Sequence, residues 1–134
     1  MTYTLRTVRT GTDRTKVALL LSLNGTIPLE GLPPAIDASF TVYEITLAGA
    51  APHPGHLRLR QDLVAFERVY HEALATIVRD HGLISEVHLF PAIPAPIAVV
   101  CGREPLPKIH PAFLVYDYNR AKGGFTLTMR INEP

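Results

Sequence analysis

The run "VALLLSL", residues 17–23, constrains the fold more than any other feature of the chain, because it shows no alternation of apolar and polar residues. A strand with one solvated face alternates, whereas a strand covered on both faces reads as a continuous apolar run. The run is far short of the roughly 18–20 residues that a membrane span requires. It passes directly into "NGT", a turn signal. It therefore reads as a central parallel strand, and parallel neighbours need long crossover connections. A chain of 134 residues has room for one such domain and not for two ordinary ones.

The flanking sequence supplies the rest of a sheet. "TYTLRTV" alternates, with Tyr3, Leu5 and Thr7 on one side, and "GTDRT" interrupts it. In "SFTVYEITL", Phe40, Val42, Glu44 and Thr46 alternate with Thr41, Tyr43, Ile45 and Leu47, so a second strand is expected after the loop "IPLEGLPPAID". The loop "AGAAPHPGH" is too rich in proline and glycine for regular structure. From about Gln61 to Asp80, Leu63, Phe66, Tyr70, Leu74 and Ile77 recur at helical spacing, with Glu67, Arg68, Glu72 and Arg79 on the other side. Asp62 suits the helix dipole at the start, and Gly82 supplies a stop.

"ISEVHLF" reads as a buried strand that ends at "PAIPAP", and Pro96 is placed to open a short helix over "PIAVVCGRE". The chain closes with "AFLVYDYN", the turn-rich "RAKGG" and "FTLTMRI", an antiparallel hairpin in which Phe125, Leu127, Met129 and Ile131 are expected to face one way. The order of elements implies an α/β sandwich of Rossmann-like type, mostly parallel, with a C-terminal antiparallel hairpin.

Charge and cysteine content remove whole classes of function. Thirteen basic and twelve acidic residues leave a net charge of +1, which argues against a duplex nucleic acid or a membrane surface as partner. The single cysteine, Cys101, rules out an internal disulfide framework and a multi-thiolate zinc site, and its place among Val99, Val100 and Gly102 reads as a packed thiol. "TYTLRTVRTGTDRTK" lacks the apolar segment of a signal peptide, so a cytoplasmic location is expected. No "GxSxG" elbow, "GxxxxGK" loop or "GxGxxG" turn occurs. The six histidines have no metal-ligand spacing and read as surface or singly bonded imidazoles. Neither a catalytic residue, nor a metal, nor a cofactor is expected.

Two strand-to-loop junctions remain. In open α/β sheets the ligand crevice lies beyond the carboxyl ends of the strands. At "SLNGT", Asn24 and Thr26 offer polar side chains and Gly25 permits close approach to the backbone; at "FPAIPAP", prolines 91, 94 and 96 stiffen the approach to a helix N-terminus suited to phosphate. Both junctions read equally well as tight turns.

"HLFPAIPAPIAVVCGREPLPKIHPAFLVYDYNR" resembles the C-terminal part of the SAVED domain, the sensor module of bacterial CBASS systems and of some type III CRISPR effectors. Phe90, Pro91, Ala92, Pro94, Ala95, Ala98, Gly102, Arg103, Tyr116 and Asp117 carry the likeness, with "ALLLSLNGTI" and "LRLRQDLVAFERVYHEAL" upstream. The resemblance implies a CARF-like three-layer sandwich, present here as a single half-domain over residues 1–134. It also implies binding of a cyclic di-, tri- or tetranucleotide, with a second copy or a second SAVED/CARF-like half as partner. The expected ligand contacts are Ser22, Asn24, Gly25, Thr26, Arg58, Arg60, Phe90, Pro91, Ala92, Pro94 and Lys108. Arg58, Arg60 and Lys108 are chosen because arginine and lysine in loops beside strand and helix ends can hold phosphate. A ligand-independent assembly or adaptor subunit is the competing reading, and a ring nuclease comes third.

Overall fold

In a computed structural model of the chain, which describes residues 2–53, 55, 60–93, 111–119, 121 and 124–131, Val17–Ser22 forms a strand buried at every position. This is β2, and the other strands are β1 (Tyr3–Arg9), β3 (Thr41–Leu47), β4 (Glu86–Ala92), β5 (Ala112–Asn119) and β6 (Gly124–Ile131), with one α-helix among the described residues, α1 (Arg60–His81). They form one sheet in the order β1-β3-β2-β4-β5-β6. The inner pairs β3–β2, β2–β4 and β4–β5 are parallel, and the outer pairs β1–β3 and β5–β6 are antiparallel. The sheet is thus open and mixed, and the six expected strands and the long helix are all present. The helix expected over residues 96–104 lies outside the described residues.

The alternation of each strand sorts its side chains between two cores. Val17, Leu19, Leu21, Tyr43, Ile45, Val87, Leu89 and Phe113 face α1 and meet Phe66, Tyr70, Ala73, Leu74 and Ile77. Tyr3 packs edge-on to Phe66, which stacks on Tyr70, with ring centroids 5.6 Å apart in both pairs. Burial, reinforced by the nearby Asp62 carboxylate, pushes the Tyr3 phenol up to about 12. The helix stops at Gly82, whose φ of 73° is open to glycine and strained for other residues, and whose N–H donates to the Val78 carbonyl.

The opposite face carries Ala18, Leu20, Val42 and Phe90, and among the described residues it is covered by irregular chain. Residues 23–40 cross it from β2 to β3, with Ile27, Leu32, Ile36 and Phe40 as buried plugs. Pro28, Pro33 and Pro34 supply no amide hydrogen, so the segment manages a single 3-10 turn, Leu29–Gly31. Each of the buried apolar plugs contributes about 1.5–3 kcal/mol.

Two details depart from the sequence reading. Strand β4 does not end before the prolines: Pro91 and Ala92 stay in register with Leu21 and Ser22 of β2. Pairing with β5 stops at Leu89, so Pro91 has a strand neighbour on one side only, where a missing N–H is tolerated. In β6 a register shift opposite Val115 and Tyr116 sets Met129 against Val115 and Leu127 against Tyr116. Adjacent β5 residues face opposite ways, so the four apolar residues of β6 are divided: Ile131 packs with the helix-side core and Phe125 with the other.

The connections also fix where a ligand can enter. From β2 the chain crosses over to β3, and from β4 it runs on towards β5, on the other side. The carboxyl ends of the adjacent strands β2 and β4 therefore form a topological switch point, where an open α/β sheet leaves a crevice.

The turn before β2 is built against the start of β3. Gly11 N–H donates to Thr41 Oγ1, and a Cβ at Gly11 would lie 2.3 Å from the Phe40 carbonyl carbon and the Ser39 oxygen. Both are backbone atoms and have no rotamer by which to yield. Gly11→Ala is expected to destabilise the fold by about 1–3 kcal/mol through forced backbone displacement. Gly25→Ala, where a Cβ meets nothing within 4 Å, is expected to leave stability within about 0.5 kcal/mol of wild type. Urea denaturation of the two variants checks this.

Candidate ligand site at the carboxyl ends of β2 and β4

The crevice is fastened at its base by one carbonyl. Ala92 O, at the end of β4, accepts from Leu23 N–H at 3.2 Å and from Asn24 N–H at 2.7 Å, which ties the first residues after β2 to the last residue of β4. Between them and the β5–β6 hairpin lies a cavity of about 530 Å³ lined by Gly25, Thr26, Ile27, Pro28, Gly31, Pro91, Ala92, Tyr118 and Phe125. That volume is in the ordinary range of small-molecule pockets, roughly 300–1,000 Å³.

The pocket is mostly apolar, and among the described residues no charged side chain lines it. Its aromatic wall comes from cross-strand partners: Tyr118 pairs with Phe125 in the hairpin register, and their rings meet edge to face at 5.5 Å. The wall is backed by a continuous aromatic series. Phe125 meets Phe90 edge-on at 5.2 Å, Phe90 stacks on Tyr116 at 4.4 Å, and Tyr116 stacks on His88 at 5.7 Å. Tyr118 itself is 55% exposed, so its ring is available at the mouth. Polar groups in the lining include the backbones of Gly25 and Thr26, which make no hydrogen bond among the described residues. Aromatic walls with a few convergent backbone donors and acceptors suit a flat heteroaromatic ring.

The expected contacts fall into separate groups. Gly25, Thr26, Pro91 and Ala92 line the pocket directly. Asn24 sits at the anchored base, and its Oδ1 is buried with no partner among the described residues. Phe90 is fully buried and acts as backing for the wall. Ser22 is also fully buried; its hydroxyl donates to Glu44 Oε2 at 2.6 Å and accepts from Ile27 N–H at 3.2 Å, and so lies beneath the pocket wall. Arg60 is exposed in the first turn of α1, whose core-facing residues pack on the other face of the sheet. Arg58, Pro94 and Lys108 lie outside the described residues, as do Cys101 and Arg103. Sequence reasoning missed Tyr118, Phe125, Ile27, Pro28 and Gly31. The signal for the two aromatics was the hairpin, whose register places them face to face.

Over residues 2–131 the chain matches the sensor domain described as SMODS-associated and fused to various effectors, SAVED. The chain belongs to the SAVED family. No curated protein matches it. Among solved structures, this SAVED chain is similar to the Acinetobacter baumannii Cap4 SAVED/CARF-domain containing receptor with the cyclic trinucleotide 2'3'3'-cAAA, with a TM-score of 0.73 and 18% identity. It is likewise similar to the same receptor with 3'3'3'-cAAA, with a TM-score of 0.71 and 17% identity. Each alignment covers 97% of this chain and 27% of the receptor, so the SAVED chain spans about a quarter of those proteins. The likeness confirms the CARF-like fold. No helix among the described residues is long and apolar enough to cross a membrane, and no group of three metal-ligating side chains occurs among them.

At the opposite end of the parallel strands a smaller cavity of about 350 Å³ is lined by Thr15, Lys16, Ala35, Phe40, Ser85, Glu86 and His88. Burial pushes the His88 imidazole below its usual range, with Arg130 acting in the same sense and Glu86 opposing. Burial also raises the Tyr116 phenol, whose hydroxyl shares a hydrogen bond with His88 Nδ1 at 2.7 Å, while His88 Nε2 lies 3.7 Å from Glu86. A neutral His88 is thus part of the aromatic series that backs the pocket. Because its folded pKa lies below the unfolded value of about 6.5, the unfolded chain takes up the proton first as pH falls. Stability is expected to be level above about pH 6.5 and to fall below it, and His88→Gln is expected to reduce that fall. Urea denaturation between about pH 5 and 8 measures both.

Proposed function

We propose that this SAVED chain is a cytoplasmic sensor module for a cyclic oligonucleotide in CBASS-type anti-phage defence, and that one base of the ligand occupies the pocket between β2, β4 and the hairpin. The observation that carries the reading is an aromatic-walled pocket at the switch point of the sheet, lined among the described residues by no charged side chain and including Gly25 and Thr26. Stacking on an aromatic ring contributes about 1–3 kcal/mol per base. The Cap4 receptors of the same fold carry cyclic trinucleotides, which supports this ligand class. In this reading the ligand phosphates lie outside the pocket, and the chain itself performs no catalysis.

The chain acts here as one CARF-like half. A single crevice contacts one side of a cyclic oligonucleotide, and ordering the ligand consumes much of the contact energy. A second copy or a partner half completes the site, so ligand binding and association strengthen each other by the same factor. A second reading, an adaptor that assembles without ligand, draws support from β6. It is an outer strand that exposes Leu127 and Met129, at 46% and 52%. Light scattering of the ligand-free chain separates the two, since only the adaptor assembles unaided.

Calorimetry against a panel of cyclic di-, tri- and tetranucleotides, including 3'3'3'-cAAA, tests the leading reading. Wild type is expected to bind at least one ring, Tyr118→Ala to bind it about 5–150-fold more weakly, and Gly25→Leu to lose binding by filling the pocket. Both variants are expected to keep wild-type stability, because Tyr118 is exposed and Gly25 faces open space. Silence across the panel in the presence of the partner half, or undiminished binding by Gly25→Leu, would overturn the assignment.

A further inference from the structure

Glu44 is 3% exposed on the loop-covered face of β3, on the same side as the buried Phe40 and Val42. Both its oxygens are engaged. Oε1 accepts from Arg6 Nε at 2.7 Å, across the β1–β3 pair in which Arg6 and Glu44 stand opposite each other. Oε2 accepts from Ser22 Oγ at 2.6 Å. A carboxylate only accepts, so it draws the Ser22 hydroxyl proton towards itself and leaves the oxygen lone pairs free to take a donor. The donor is Ile27 N–H, at 3.2 Å.

This bond closes a span. Asn24 N–H is fixed to Ala92 O at one side, and Ile27 N–H is fixed to Ser22 Oγ at the other. Gly25 and Thr26, which line the pocket, hang between these two anchors with no backbone bond of their own among the described residues. Stability alone gives no reason for a charge at residue 44, because well-packed apolar side chains in place of a buried ion pair are often neutral or stabilising. What the charge does supply is the orientation of the Ser22 hydroxyl.

We propose that Arg6, Glu44 and Ser22 are positioning residues for the pocket, a relay in which an arginine on the outer strand β1 fixes the wall formed by residues 25–28. The inference rests on the reading of that pocket as a base site. It makes ligand affinity depend on Arg6 and Glu44, although neither lines the cavity.

Three variants test it: Ser22→Ala, Glu44→Gln, and the double replacement of Arg6→Met with Glu44→Leu. Three quantities are read: urea stability, amide exchange at Ile27 by NMR, and affinity for 3'3'3'-cAAA within the cyclic-oligonucleotide panel. The double variant is expected to keep or exceed wild-type stability, yet to exchange the Ile27 amide at least tenfold faster and to bind the ligand about tenfold more weakly. Ser22→Ala leaves Glu44 Oε2 and the Ile27 N–H without their shared partner, so it is expected to lose stability and to show the same faster Ile27 exchange and weaker binding as the double variant. Unchanged Ile27 exchange in both variants, or affinity that merely tracks stability across all three, would overturn the relay. Faster Ile27 exchange in a protein whose wild type binds nothing in the panel would support the relay as the holder of this wall and count against the ligand reading alone.

Discussion

The parallel placement of β2 between β3 and β4 dictates most of the architecture of this molecule. Parallel neighbours cannot be joined by tight turns, so the chain must cross the sheet after each of them, and a strand in that position needs both faces covered. One crossover contains α1. Another, residues 23–40, is too rich in proline to become a helix and covers the opposite face with four separate plugs, Ile27, Leu32, Ile36 and Phe40. Because the chain leaves β2 and β4 towards opposite edges, a crevice opens between their carboxyl ends. The site is a consequence of topology first and of side chains second.

Among the described residues, the lining of the crevice suits a base better than a phosphate. A phosphate held without a nearby cation or a row of free amides would be a poorly compensated charge. The lining offers the aromatic rings of Tyr118 and Phe125, two prolines and the unengaged backbone of Gly25 and Thr26. The Arg6–Glu44–Ser22 series ends at Ile27 N–H, so the polar rim is held by the sheet itself and not by the loop's own packing. The aromatic series from His88 to Phe125 backs the other wall from the same face. Rigid support on both sides is what a pocket needs if ligand energy is not to be spent on ordering it.

How much of this is legible in the sequence depends on the range of the interaction concerned. The helix and β2 are plain, because hydrophobic periodicity is local and both are strongly patterned. Pro91 reads as a strand end, since proline removes a ladder bond, and what permits it, the early end of β5 pairing at Leu89, is a long-range fact. The split face of β6 arises from a register shift that alternation in one strand cannot reveal. Among the site residues, Gly25, Thr26, Pro91 and Ala92 are legible because they lie at or just beyond strand ends. Ser22 stands out for its place in a motif, yet its hydroxyl turns inward to Glu44, a partner 22 residues away in the chain. Arg60 reads as a loop-side charge, a criterion blind to which face of the sheet the helix occupies.

Chemical-shift mapping by NMR is the most direct test of the central claim that a base enters between β2, β4 and the hairpin. On titration with a cyclic trinucleotide that binds, the account expects the largest shifts at Gly25, Thr26, Ala92, Tyr118 and Phe125, with ring-current displacements that mark a stacked base. Shifts concentrated instead around Lys16, Ser85 and Glu86, at the far end of the same strands, would contradict it.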